Sequence, residues 1–82
     1  MYFVYAIYSD SRNYLYVGLS DNVERRLREH NSGKNRTTRP YRPFRLIHME
    51  SFNSRSEARA REIILKSGQG KEFLKSLIKN KD

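Results

Sequence analysis

The sequence predicts an α+β fold, a small three-stranded antiparallel sheet flanked by helices, in a single domain spanning residues 1–82. Three observations carry this. Two short runs dense in aromatic and β-branched residues stand either side of turn residues, a third such run follows in mid-chain, and the remaining patterned segments repeat their apolar residues at helical spacing. With 82 residues there is chain for one domain only. A domain this small buries only about 60–65% of its unfolded surface, which leaves no room for a large enclosed pocket.

Tyr2 to Tyr8 and Tyr14 to Leu19 read as a β-hairpin, with Ser9-Asp10-Ser11-Arg12-Asn13 supplying the turn. Asp21 and Glu24 have the layout of a capping box, and Val23 and Leu27 recur at helical spacing until Asn31-Ser32-Gly33, so a first helix is expected over 22–31. Gly33 to Pro43 has a glycine, two prolines and many basic residues but little apolar pattern, and reads as a long surface loop, a class of segment that often carries function. Phe44 to Phe52 is the third strand. Ser54-Arg55-Ser56-Glu57 is a full capping box that starts a second helix, which Ala58, Ala60, Ile63, Ile64 and Leu65 carry to Lys66. Gly68-Gln69-Gly70 then reads as a break, with Phe73, Leu74, Leu77 and Ile78 marking a third, amphipathic helix.

Charge narrows the function. Seventeen Lys+Arg against nine Asp+Glu give a net charge of +8, which points to a polyanionic partner. Arg25, Arg26, Arg28, Lys34, Arg36, Arg39, Arg42 and Arg45 crowd one stretch opposed only by Glu29. Arginine's planar fork matches phosphate oxygens two at a time, so Arg25, Arg28, Lys34, Arg36, Arg39 and Arg42 are candidate nucleic-acid contacts; the plainer alternative is a basic face that serves solubility. The absence of cysteine excludes disulfides and thiolate metal sites. No run of 18 or more apolar residues and no signal-peptide pattern is present, so a cytoplasmic protein without a membrane partner is expected.

Arg26 and His30 stand four residues apart, which brings their side chains to within about 40° on one helix face. Tyr16 lies on the strand before that helix, and Gly18 is expected where the backbone turns from strand into loop. A cleft there would be lined by tyrosine, arginine and histidine but would lack a carboxylate. Glu62 is the plausible supplier, because its register sets it with Ala58 and Lys66 rather than with Ile63 and Ile64. Each residue alone has an ordinary alternative as core or solvated ion pair.

Together, these residues resemble the GIY-YIG nuclease family from Phe3 to Lys66. The two tripeptides of the family name read here as Phe3-Val4-Tyr5 and Tyr16-Val17-Gly18, with Arg26 eight residues after Gly18 and His30 four beyond it. The segment from Ser56 to Lys66 is similar to the family's metal-site helix, with Glu62 in the metal position. Phe3 replaces the first glycine, and Asn80 is given no site role. The likeness is greatest to compact stand-alone members similar to the amino-terminal nuclease module of the excision-repair UvrC protein. The resemblance implies a metal-dependent DNA endonuclease of low intrinsic sequence specificity, in a DNA-repair setting, with specificity supplied by a protein partner where needed.

The resemblance further implies Tyr5, Tyr16, Arg26, His30 and Glu62 as catalytic residues and Glu62 as ligand of a single divalent cation, Mg²⁺ or Mn²⁺. Arg26 would neutralise charge developing on the phosphate, and Tyr5 is the candidate for activating water. A tyrosine of ordinary pKa, about 10, is a poor base at neutral pH, so it needs help. Single-stranded DNA, branched DNA and RNA all stay open as substrates. The alternatives are a non-catalytic binding module, in which Tyr5, Tyr8, Tyr14 and Tyr16 stack on bases while arginines hold phosphates, and a basic assembly protein that keeps the fold without the activity.

Overall fold

The computed structural model describes residues 1–79; Asn80 lies outside the described residues. The elements run β1 (Tyr2–Ser9), β2 (Tyr14–Ser20), α1 (Val23–Ser32), a 3₁₀ turn (Arg39–Tyr41), β3 (Arg45–Phe52), α2 (Arg55–Lys66) and α3 (Gly68–Lys79). The sheet is antiparallel throughout, in the order β2-β1-β3. The expected fold class is therefore present. Among the described residues no helix is long and apolar enough to cross a membrane.

The central strand is buried on both faces, and its alternation decides what each face holds. Val4 and Ala6 pack with Ala58, Leu65 and Leu74 beneath α2 and α3. Tyr5 and Ile7 point the other way, into a second cluster with Val23 of α1 and Phe44. A register shift between Ala6 and Ile7 in the pairing with β3 leaves Ile47 without a cross-strand partner of its own, and this bulge explains why Leu46 and Met49 face outward while Ile47 packs inward.

Three local expectations need correcting, at the cap of α1, at Gly68-Gln69-Gly70 and in the segment after α1. The N-cap of α1 is Asn22, whose side chain accepts from the Arg25 amide at 3.0 Å; Asp21 instead pairs with the Arg25 guanidinium at 3.2 Å. Asn22 has the extended backbone a cap needs and stands one residue nearer the first helical turn. In α2 the inward stripe is Ala58, Glu62 and Leu65, whereas Ile63 and Ile64 are 55% and 51% exposed, because a helix of this length can turn only one stripe to the sheet.

Gly68-Gln69-Gly70 does not separate the last helices by a loop but forms the first turn of α3, with Ser67 alone between α2 and α3. Gly70 is required there by close approach, since a Cβ would fall 2.3 Å from the Ile64 carbonyl oxygen and 2.4 Å from Leu65 Cα. The segment after α1 is also more ordered than a surface loop. The Asn35 side chain accepts from the amides of Thr37 and Thr38 at 2.9 and 3.3 Å, and Asn31 clamps the return through the Phe44 amide and carbonyl. Thr38 is left fully buried.

Candidate active site

The site forms along β2, an edge strand, where groups from both faces of the sheet can meet. Tyr5 sits directly opposite Gly18 in the β1–β2 pairing. With no side chain at Gly18, the Tyr5 ring lies across β2: a Cβ at Gly18 would come within 2.6 Å of Tyr5 Oη and 2.7 Å of Cζ. Gly18 therefore lies inside the strand as the space the ring needs, and not at a strand-to-loop turn as its position suggested. Tyr16, two residues before it on the same face, stands 6.4 Å from Tyr5 between ring centroids.

These groups open onto a cleft of about 260 Å³ lined by Tyr5, Tyr16, Gly18, Leu19, Arg26, Arg55, Arg59 and Glu62. Four separate elements supply it. Arg26 comes from α1, where Val23 is turned into the core, and Glu62 comes from the inward stripe of α2. His30 is a level below, fully buried, with Nε2 3.1 Å from Tyr5 Oη and Nδ1 2.8 Å from Thr38 Oγ1. Of the five expected catalytic residues, Tyr5, Tyr16, Arg26 and Glu62 line the cleft, and His30 sits behind it, hydrogen-bonded to Tyr5 and packed against the Tyr16 ring at 4.8 Å between centroids.

The electrostatics follow from burial and cations. Burial pushes the Tyr5 phenol above its ordinary pKa, partly opposed by a hydrogen bond from Arg26. Burial and then the Arg26 charge push His30 below the ordinary imidazole range, so it is neutral at physiological pH. Burial works to raise Glu62, but hydrogen bonds from Arg59 at 2.8 Å and Lys66 at 3.2 Å prevail and hold it below the usual carboxylate range. Arg26 is oriented by its ion pair with Glu29; burial works against its charge, but Glu29 and Tyr5 together prevail and raise its pKa above the ordinary value.

Glu62 is 7% exposed, and among the described residues no group of three or more His, Cys, Asp or Glu side chains gathers into a metal cage. A single carboxylate at the mouth of a wet cleft still fits a hard cation of the Mg²⁺ kind, which keeps several waters and accepts few protein oxygens.

Apart from Arg26, the arginine-rich stretch is not in the cleft. Arg25, Arg28 and Lys34 line a shallow surface on the far side of α1, and Arg25 is paired with Asp21. Arg39 and Arg42 donate to carbonyls of Gly33 and Arg39 within their own segment, and Arg36 is exposed. The cleft takes its additional cations from Arg55 and Arg59 of α2, which the sequence reading passed over. Their spacing carried a signal: Arg55, Arg59 and Glu62 are one helical turn apart in succession, so assigning Glu62 to a site brings both arginines with it.

Residues 1–75 match the GIY-YIG catalytic domain family. The chain is 41% identical over 66 residues to a UPF0213 protein of Staphylococcus haemolyticus, covering 79% of this chain and 80% of that one. It is 48% identical over 54 residues to a UPF0213 protein of Haloquadratum walsbyi, covering 65% of this chain and 61% of that protein, less than two thirds of its length. The solution NMR structure of a UPF0213 protein from Bacillus halodurans aligns with a TM-score of 0.54 at 37% identity, covering 94% of this chain and 85% of that one.

Proposed function

This chain belongs to the GIY-YIG catalytic domain family and has small UPF0213 proteins as relatives, and on that premise we propose that it is a metal-dependent endonuclease. It hydrolyses phosphodiester bonds, with DNA as substrate and little sequence preference of its own. The observation that carries this is the convergence on one cleft of Tyr5, Tyr16, Arg26 and Glu62 from four separate elements. A net charge of +8 supports the polyanionic substrate.

Glu62 would hold the cation, which when bound supplies positive charge beside the leaving oxygen. The chain's own groups do the rest. Arg26, oriented by Glu29, donates to the non-bridging oxygens as they gain negative charge. Arg55 and Arg59 hold the phosphate in place, and Tyr16 orients the attacking water. That water loses a proton to Tyr5 Oη as its oxygen bonds to phosphorus, while the phenolic proton of Tyr5 passes to His30 Nε2 at 3.1 Å. The phosphorus–oxygen bond to the leaving group breaks, and the departing oxygen takes a proton from solvent. Tyr5 never has to ionise, which matters because its pKa is raised. Neutral His30 is the group able to accept.

The base-stacking alternative finds less support. Tyr5 is 1% exposed, Tyr14 is already stacked on Tyr41 at 3.9 Å, and Arg45 lies over the Tyr8 ring. The deciding experiment is incubation with labelled single-stranded, duplex and branched DNA and RNA, with Mg²⁺ or Mn²⁺ or with chelator. Cleavage that chelator abolishes is the expected result; binding without cleavage under every condition would return the protein to the binding-module class.

A further inference from the structure

Thr38 is a fully buried hydroxyl carried on an exposed, arginine-rich segment, and burying a hydroxyl without a partner costs about 1–3 kcal/mol. Its partner is the Nδ1 of His30, at 2.8 Å. The turn that delivers it is built for the purpose: Asn35 holds the Thr38 amide, and the Thr38 carbonyl accepts from Tyr41 at 2.9 Å. Thr38, His30 and Tyr5 thus form one buried line of hydrogen bonds that ends at the cleft.

A neutral imidazole carries one N–H, so the direction of every bond in this line is set together. We propose that Thr38 accepts from His30 Nδ1–H and so fixes the tautomer in which bare Nε2 accepts the Tyr5 hydroxyl proton. Thr38 is then a positioning residue acting through His30, and this assignment rests on the nuclease reading for its consequence but not for its test. One feature favours this direction: Arg26 lines the same cleft as Tyr5, and its positive charge eases loss of the phenolic proton, which strengthens the Tyr5 hydroxyl as a donor toward Nε2. In the opposite direction Nε2–H would point at Tyr5 Oη, and His30 could take no proton from it.

The test is the tautomer itself. Long-range ¹H–¹⁵N correlation spectra of the full-length ¹⁵N-labelled chain at neutral pH distinguish protonated from bare ring nitrogens. The expected result is His30 with Nδ1 protonated and Nε2 bare; a protonated Nε2 in the unmodified protein would overturn the proposal before any variant is made. Thr38→Val, similar in shape but unable to accept, should move the proton to Nε2 and lower kcat on the order of 100-fold with KM nearly unchanged, as losing a correctly held base does. Thr38→Ser should restore both the tautomer and the rate. A Thr38→Val protein that kept Nδ1 protonated would also overturn the assignment. Because the spectra need no substrate, a wild-type protein that shows the expected tautomer but cuts nothing would refute the nuclease reading and leave the role of Thr38 standing.

Discussion

Gly18→Ala places a methyl group where the Tyr5 ring lies, 2.6 Å from Oη, 2.7 Å from Cζ and 2.9 Å from Cε1. Carbon atoms without a bond between them settle at about 3.5–4.0 Å, so something must move by roughly an ångström. Tyr5 is 1% exposed, sits on the central strand and is tied to His30, so its ring has little room to yield. Overpacking of this kind costs about 1–3 kcal/mol, and a buried hydrogen bond left unmade adds about 1–3 kcal/mol. A total of about 2–6 kcal/mol lowers the Tm of a domain this size by roughly 10–50 °C. In protein that remains folded, a ring displaced by about 1 Å should slow single-turnover cleavage about 100-fold. Thermal unfolding followed by circular dichroism gives the first number and rapid-quench cleavage the second. Tyr5→Phe measured with and without Gly18→Ala should show strong coupling between the two positions. A variant with wild-type Tm and rate would refute the claim that Gly18 exists to admit the ring.

Arg26→Ala should lower the single-turnover rate by a factor of about 100 or more with a modest loss of affinity, whereas Arg25→Ala and Arg28→Ala, on other faces of the same helix, should spare the rate. Equal effects of all three on affinity and none on rate would make Arg26 an ordinary basic contact. Arg55→Gln and Arg59→Gln should each reduce the slope of log affinity against log salt by about 0.7–0.9, the change expected when the protein neutralises one phosphate fewer. The same measurement on an Arg36, Arg39 and Arg42 triple substitution decides whether that segment meets nucleic acid or serves solubility. Because Glu62 is paired with both Arg59 and Lys66, Mn²⁺ should bind the free protein weakly and much more tightly with an uncleavable nucleic acid present. Equal Mn²⁺ affinity by electron paramagnetic resonance with and without it would contradict this.

What the sequence makes legible is whatever local chemistry encodes. The hairpin, the Ser54 cap and the strand-to-helix order follow from alternation and capping, and the residues that family spacing singles out, Tyr5, Tyr16, Arg26 and Glu62, are ones that line a single cleft. Illegible are features whose cause lies across the fold. A strand glycine needed by a ring on the neighbouring strand has the same local appearance as a turn glycine, which is why Gly18 reads as a turn. Gly70 looks like a helix breaker because the backbone of α2 that it must clear is invisible in its own neighbourhood. Helix register already sets Glu62 with Ala58 and apart from Ile63 and Ile64, but that Arg59 and Lys66 offset the burial of its carboxylate shows only in the fold. Thr38 is hidden among arginines, because nothing in the surrounding residues marks a hydroxyl that folds back beneath a helix.

If the cleft between β2 and α2 cuts nucleic acid with a cation held by Glu62, then Glu62→Ala must leave a protein that binds and does not cut. Circular dichroism establishes that the variant is folded, and a gel-shift titration establishes that it still binds. The expected result is intact binding and no cleavage above background in Mg²⁺ or Mn²⁺, against clear, chelator-sensitive cleavage by the wild-type chain. A folded Glu62→Ala protein that cuts near the wild-type rate would contradict the assignment of the cleft and of its cation.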